Sequence, residues 1–137
     1  MPKQRQYWLG VIRTLSLEEH LWWCLPSRAA IGDRIFMYCP RSAKSLRYGV
    51  FAECELTTAP YSNPDERHRC SMFGRRTEFL GYAELKVVRL FKETITSQQM
   101  KRDALLRQAN FVRRSFQGTT FAVTHEVAAR IVALRKR

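Results

Sequence analysis

Residues 48–56, with the sequence YGVFAECEL, constrain the fold more than any other stretch of the chain. Their side chains alternate between two faces, as in a β-strand. One face carries Tyr48, Val50, Ala52, Cys54 and Leu56, and the other carries Gly49, Phe51, Glu53 and Glu55. A strand with apolar residues on both faces is typical of a small barrel, because closure of the sheet removes exposed edges. The segment therefore predicts a small, strongly bent sheet.

Further strands are predicted where aromatic and β-branched residues are dense, at 7–14, 34–39, 79–91 and 119–123. Val87 and Val88 interrupt the alternation in the longest of these segments and predict a β-bulge. Residues 57–76, which contain two prolines and a Ser-Asn-Pro-Asp turn signal, predict a long surface loop.

Three helices are predicted from capping signals. Ser16 and Glu19 form a capping-box pattern ahead of a helix at 17–23. A short helix at 98–106 follows the cap candidates Thr96 and Ser97. Thr124 caps a last helix, and its core face is predicted to carry Val127, Ile131 and Leu134.

The resulting order, β-α-β-β-loop-β-α-β-α, predicts an α+β fold in which helices pack outside a mixed sheet. A small barrel of five to six strands fits the strand count and loop lengths, and a ferredoxin-like sandwich is the alternative. A length of 137 residues predicts a single domain over residues 1–137.

The charge of the chain points to a polyanionic partner. Lys and Arg number 24 against 12 Asp and Glu, which gives a net charge of +12. Nucleic acid is the first candidate and an anionic membrane surface the second, while a basic domain that binds another protein is a further alternative. The sequence lacks an apolar run of about 18 residues and a signal-peptide core, so we expect a cytoplasmic protein with reduced thiols and no membrane partner.

Catalytic and metal-binding motifs are scarce. The four cysteines include no Cys-x-x-Cys pair, and we expect neither a metal nor a cofactor. No nucleophile elbow, Walker loop or His-Glu-x-x-His motif is present, so we expect a protein that is not an enzyme. Acid–base chemistry by Glu53 with Lys86 or Tyr38 is the alternative.

Five short motifs resemble the EVE family, which belongs to the PUA-like superfamily together with the YTH domains. The motifs are Tyr7-Trp8-Leu9, Trp23-Cys24-Leu25-Pro26, the strand that begins Gly32-Asp33-Arg34, Gly49-Val50-Phe51-Ala52-Glu53, and Phe116-Gln117-Gly118-Thr119. Cys24 stands where the family usually has Gly, and the closing segment carries an unusual Arg113-Arg114 pair.

The resemblance implies a PUA-like barrel whose aromatic cage accepts a flipped, modified base. In prokaryotic relatives it suggests modified cytosine in DNA, most simply 5-methylcytosine, read without catalysis and with DNA preferred over RNA. A separate effector protein such as a nuclease would carry out any restriction of DNA. The alternatives are an RNA-binding PUA-like module and a small nucleoside hydrolase of the related ASCH type.

Trp23 is the preferred pocket ring, because the resemblance places it there, and Trp22 is expected to enter the core. The predicted base pocket comprises Trp23, Tyr38, Cys39, Pro40, Ser42, Asn110, Phe111, Phe116, Gln117 and Gly118. In this prediction, residues 107–118 form a wall opposite the first strands. The predicted phosphate contacts are Arg28, Arg41, Lys44, Arg47, Arg107, Arg113 and Arg114.

Overall fold

Six strands and three helices make up the described part of the chain. A computed structural model describes residues 4–12, 20–40, 48–61, 80–117 and 120–135. The strands are β1 (Tyr7–Val11), β2 (His20–Pro26), β3 (Arg34–Cys39), β4 (Gly49–Leu56), β5 (Leu80–Ile95) and β6 (Thr120–Val123). The helices are α1 (Ser97–Arg102), α2 (Asn110–Arg113) and α3 (His125–Leu134), with a 3₁₀ turn at Leu106–Gln108.

The strands form one mixed sheet in the order β2-β5-β4-β3-β1-β6. Strands β1 and β3 are parallel, and the other neighbouring pairs are antiparallel. The two outer strands of this order meet through side chains: the Trp23 Nε1–H donates to Thr120 Oγ1 at 2.9 Å, and the Thr120 hydroxyl donates to the Cys24 carbonyl at 3.0 Å. The sheet is therefore a nearly closed barrel, and the predicted α+β barrel with flanking helices is confirmed.

Alternation along β3 separates two apolar cores. Ile35, Met37 and Cys39 point into the barrel, where they join an inner core. Phe36 and Tyr38 point outward and join a second core beneath the helices, which we call the helix-side core. Because adjacent strand residues face opposite sides of a sheet, neighbours in the sequence belong to different environments.

The helix predicted at 17–23 is wrong where the structure describes it, because residues 20–26 form strand β2. Trp22 lies opposite Glu84 of β5, and Trp23 lies opposite Ala83. Pairing with the long strand β5 overrides the local capping signal, and Trp favours extended conformations. Residues 13–19, which contain the predicted cap, lie outside the described residues.

The regular alternation predicted for residues 48–56 is interrupted in β4. Val50 belongs to the helix-side core, whereas Phe51 and Ala52 both belong to the inner core. The pairing of β4 with β5 shifts register between Val50 and Ala52, so a bulge rotates the strand there. The bulge predicted at Val87 and Val88 is confirmed by a second register shift, because Cys54 lies opposite Val87 and Glu53 opposite Arg89.

The caps of α1 and α3 are confirmed. Thr96 and Gln99 form a capping box at the start of α1. This helix ends at Arg102 and not at 106, because Asp103 is extended and its carboxylate accepts from the Leu105 and Leu106 backbone N–H groups. The Thr124 hydroxyl accepts from the Val127 N–H at 3.2 Å and caps α3.

The predicted core face of α3 is also confirmed. Val127 and Ile131 are buried in the helix-side core, and Leu134 packs against it. None of the helices in the described ranges is long and apolar enough to span a membrane.

Asp33 fastens the end of the barrel at which β3 begins. Its side chain is 3% exposed and accepts from the Gln6 N–H, the Ala30 N–H and Trp8 Nε1 at 3.0–3.1 Å. Gly32 precedes it with φ +93°, a conformation that favours glycine. The Gly-Asp motif is therefore a structural turn that joins β1 to the β2–β3 connection.

The cysteines differ in state and position. Cys39 and Cys54 are buried free thiols, as expected. Cys24, at the seam of the barrel, is disulfide-bonded, so the expectation that all thiols are reduced is wrong at this position.

Candidate functional site

The topology brings several predicted pocket residues to one end of the barrel. Strands β1 and β3 terminate at this end and β4 and β6 begin there, as the registers of these strands require. We call it the Cys39 end. Tyr38, Cys39 and Pro40 lie there, and Gln117 lies shortly before the first residue of β6. The predicted pocket residues Ser42 and Gly118 lie outside the described residues.

Trp23 is held in one orientation near the Cys39 end. Its indole N–H is bonded to Thr120, the first residue of β6. On one side the ring lies against the backbone of Gly10, where a Cβ atom would come within 2.9 Å of two ring carbons. The ring packs against the inner core yet keeps part of its surface exposed. Because the N–H is already bonded, stacking on the exposed ring surface is the interaction that Trp23 can still offer.

Trp22 and Trp23 point to opposite faces of β2, as expected for neighbours on a strand. Trp22 is 50% exposed on the outside of the barrel, where its ring meets that of Tyr61 edge-on at 6.0 Å. The predicted separation of the two rings is found, but the expected core position of Trp22 is wrong, because alternation along the strand turns its ring to the outer face.

Tyr38 belongs to a different aromatic group from Trp23. Its ring stacks on Phe116 with centroids 3.9 Å apart and planes 7° apart, and Phe111 lies 5.8 Å from Phe116. All three are buried in the helix-side core. A base between Tyr38 and Phe116 would need the rings roughly 7 Å apart, twice the contact distance of carbon atoms. The structure therefore brings Tyr38, Phe111 and Phe116 together and leaves Trp23 on the opposite face of the sheet.

The turn after α2 explains why the aromatic and the basic side chains of residues 107–118 lie in different places. The N–H groups of Ser115 and Phe116 donate to the carbonyls of Val112 and Phe111 at 3.0 and 2.8 Å, which is the Schellman pattern at a helix end. Ser115 and Phe116 both have positive φ, 52° and 58°. This turn sends Phe116 back onto Phe111 and leaves Arg114 at the surface.

The predicted phosphate contacts fall into three groups. Arg107, Arg113 and Arg114 are exposed around the 3₁₀ turn and α2. Arg28 follows the end of β2, which lies at the barrel end opposite to Cys39, and its guanidinium lies 5.3 Å from the Trp8 ring centroid. The structure therefore places Arg28 away from the Cys39 end. Arg41, Lys44 and Arg47 lie outside the described residues.

The two amide side chains of the predicted base pocket, Asn110 and Gln117, differ in their surroundings. Asn110 is exposed, and its side-chain oxygen accepts from the Phe111 N–H at 2.8 Å. It lines an apolar cleft of about 450 Å³ between α2 and α3, together with Phe111. Gln117 is exposed, and its backbone N–H donates to the Arg114 carbonyl. Gln117 is therefore the better placed of the two side chains for the Cys39 end.

Glu53 does not have the surroundings of a general base. Its two carboxylate oxygens form ion pairs with Arg34 at 2.7 Å and with Arg135 at 2.5 Å. Glu53 thus fastens β4 to β3 and to the end of α3. Lys86, the proposed partner, is exposed, and the other candidate, Tyr38, is hydrogen-bonded to Ser97. Among the residues that the structure describes, no group of three or more His, Cys, Asp or Glu side chains is placed to hold a metal ion.

Two residues of the site were missed by the sequence analysis. Thr120 fixes the indole of Trp23 from 97 positions away, and no local pattern indicates such a contact. Gly10 makes room for the ring, and a glycine inside an apolar strand was the available signal of a close approach.

The fold and the Cys39 end define a class: small, nearly closed β-barrels that hold a fixed, partly exposed indole near one end. The model of the EVE domain family matches residues 24–134, so the chain belongs to the EVE domain family. Among curated proteins, none matches the sequence significantly.

Solved structures of low sequence identity share the fold. A protein of Pseudomonas syringae is 19% identical with a TM-score of 0.71, over 95% of this chain and 99% of its own. A hypothetical protein from Leishmania major is 15% identical with a TM-score of 0.68, over 96% and 94%. The human THYN1 protein, solved in complex with 5-methylcytosine-containing DNA, is 14% identical with a TM-score of 0.65, over 96% and 98%.

Proposed function

We propose that this EVE domain binds DNA and reads a modified cytosine, most simply 5-methylcytosine, at the Cys39 end without catalysing a reaction. The observation that carries the proposal is the fixed, partly exposed ring of Trp23. The complex of human THYN1 with 5-methylcytosine-containing DNA supports the same class of ligand. The net charge of +12 supports a polyanionic partner.

A flipped base needs more than one interaction at such a site. Extrusion of a base costs a few kcal/mol, while stacking on an aromatic ring returns about 1–3 kcal/mol. One buried methyl group adds only about 0.8 kcal/mol, roughly fourfold in affinity. Polar groups must therefore help to select the base. The backbone groups of Cys39 and Pro40 and the side chain of Gln117 are our candidates, with Ser42 and Gly118 in the adjoining segments.

A panel of labelled oligonucleotides tests the proposal. It contains matched strands with cytosine, 5-methylcytosine or 5-hydroxymethylcytosine, in DNA and in RNA, and each is titrated at two salt concentrations. We expect tighter binding to one modified DNA than to its unmodified match. If about five phosphates are contacted, the logarithm of the affinity falls with that of the salt concentration with a slope near −4 to −5.

Two neighbouring tryptophans provide a matched pair of variants. Trp23→Leu removes the proposed stacking ring and should lose the preference for the modified base, while Trp22→Leu removes an exposed ring on the other face and should keep it. Trp23→Phe retains an aromatic face without the N–H, and partial retention of the preference is expected. Each variant is checked for folding by circular dichroism.

Three results would contradict the proposal. Equal affinity of the wild-type protein for all cytosine forms would contradict recognition of a modified base, while general nucleic-acid binding would still hold. Preference for the RNA member of each matched pair replaces DNA with RNA as the ligand. Loss of the preference in folded Trp22→Leu but not in folded Trp23→Leu moves the site to the outer face.

A further inference from the structure

A cleft of about 390 Å³ lies on the helix side of the sheet, beside the Cys39 end. Tyr38 and Gly49 form its floor at the ends of β3 and β4, and α1 forms its wall. It is separated from the inner core by the sheet itself, because Tyr38 faces the helices. This cleft is therefore distinct from the proposed base site at Trp23.

The described residues that line the cleft offer hydroxyl groups and one positive charge. Lys101 contributes an ammonium group, and hydroxyls come from Tyr38, Tyr48, Thr94, Thr96 and Ser97. The Thr96 hydroxyl also caps α1. None of these lining residues is an acid. Hydroxyl and ammonium donors together are suited to the acceptor oxygens of a phosphate group.

Helix α1 carries two of the cleft's donors, Ser97 and Lys101. The capping box of Thr96 and Gln99 fixes its first turn, and Met100 is fully buried behind it. Ser97 and Lys101 are four residues apart, so they lie on the same side of the helix, toward the cleft. Arg102, the next residue, is exposed and does not line the cleft.

Tyr38 adds no negative charge to the cleft at neutral pH. Burial raises the pKa of its phenol above the ordinary value of about 10, and the hydrogen bond with Ser97 only partly offsets this rise. The hydroxyl therefore stays protonated well above neutral pH.

We infer that this cleft holds a backbone phosphate of the nucleic-acid strand whose base is read at the neighbouring Cys39 end. The inference rests on the proposed function. One lysine with neutral hydroxyls holds a free anion weakly in water, whereas a strand already bound at the barrel end raises the effective concentration of its own phosphates. The occupant is therefore a tethered phosphodiester and not inorganic phosphate.

Adjacent basic residues on α1 give a matched test. Binding of 5-methylcytosine DNA and unmodified DNA is measured at several salt concentrations for the wild type, Lys101→Ala and Arg102→Ala. Both variants lose one positive charge from the same exposed turn. We expect Lys101→Ala to weaken binding of both DNAs by the same roughly threefold to tenfold and to reduce the salt slope by about 1. Arg102→Ala should weaken binding by less than twofold, and Lys101→Arg should restore most of the affinity.

The outcomes separate the two proposals. Equal effects of Lys101→Ala and Arg102→Ala overturn the phosphate site, while the proposed function stands if the wild type still prefers modified DNA. Absence of DNA binding by the wild type would contradict both the phosphate site and the proposed function. Inorganic phosphate at millimolar concentration should compete no better than chloride at equal ionic strength, and stronger competition would overturn the tethered phosphodiester in favour of a free anion.

Discussion

At the scale of single residues, Gly10 and Trp23 must be considered together. The indole occupies the space that any side chain at position 10 would need, since a Cβ there would lie 2.9 Å from the ring carbons. Contacts this short force a shift of the ring or of the strand. The orientation of Trp23 therefore depends on the absence of a side chain as much as on its hydrogen bond to Thr120.

Gly10→Ala is expected to displace the indole and to lower the free energy of unfolding by about 1–3 kcal/mol, as overpacking does. Urea unfolding measures the loss, and the preference for modified DNA should fall with it. Gly32→Ala is the control: its Cβ would meet no atom within 4 Å, but φ is +93°. It should therefore cost about 1–2 kcal/mol through backbone strain and leave base reading intact. An unchanged base preference in Gly10→Ala would show that the orientation of the ring is not critical.

Cys54 is predicted to be chemically inert in the folded protein. Burial, followed by the nearby charge of Glu53, raises the pKa of its thiol to about 12. At pH 8 only roughly one thiol in ten thousand is then ionised, and the thiolate is the reactive form. Iodoacetamide should leave Cys54 unmodified in native protein and modify it in urea, as measured by mass spectrometry of peptides. Equal labelling rates in the two conditions would contradict this prediction.

At the scale of elements, Asp103 links three of them. It ends α1, starts the 3₁₀ turn, and forms an ion pair with Arg130 of α3 at 2.7 Å. The hydrogen bond from Arg130 is the main cause that lowers the pKa of the Asp103 carboxyl, and the backbone N–H of Leu106 adds to it. A lowered pKa in the folded state means that the ionised carboxylate stabilises the fold.

Asp103→Asn is therefore expected to reduce stability at neutral pH by about 0.5–1 kcal/mol, the range for partly exposed ion pairs. The stabilisation is complete above the unfolded pKa of about 4 and is lost as the pH falls through the lower folded pKa. Urea unfolding from pH 7 down to pH 2 should show the two proteins converging in acid. In a double-mutant cycle with Arg130→Gln, a coupling that persists at pH 2 would contradict the ionic origin.

Elements that depend on nearby residues, such as helix caps and turns, could be predicted from the sequence. Elements that depend on pairing with distant strands could not. The bounds of β3 and the caps of α1 and α3 follow from turn, strand and capping residues. Strand β2 was predicted as a helix because its strand character comes from pairing with β5, about 60 positions later. Two contacts depend on the folded sheet: Trp23 bonds to Thr120, and Tyr38 stacks on Phe116. The residues predicted to form one pocket therefore lie on two opposite faces of the sheet.

At the scale of the whole molecule, the sheet separates two hydrophobic cores that position different parts of the structure. The inner core fixes Trp23 near the barrel end, and the helix-side core fixes α1 and the cleft beside Lys101. Tyr38 of the helix-side core and Cys39 of the inner core are neighbours at the end of β3, so a strand bound at the Cys39 end would reach both faces of the sheet. The closure of the barrel bears directly on the Trp23 contact, because Thr120 holds the indole across the seam.

We expect closure of the barrel to depend on Thr120, whose hydroxyl accepts from the Trp23 N–H and donates to the Cys24 carbonyl across the seam. Thr120→Val keeps the shape of the side chain but removes both hydrogen bonds. It leaves an indole N–H and a carbonyl unsatisfied, at an expected cost of about 1–3 kcal/mol. Thr120→Ser retains the hydroxyl and should lose much less stability.

Hydrogen exchange locates the effect of this substitution. Because β2 and β6 are the outer strands of the sheet order, their amides should exchange faster in Thr120→Val, while the central amides of β3 and β4 keep their protection. The released indole should also reduce the preference for modified DNA, since its ring surface is no longer fixed. Uniformly faster exchange across all six strands would mean that the seam sets global stability instead, and unchanged exchange would mean that the two bonds do not hold the barrel closed.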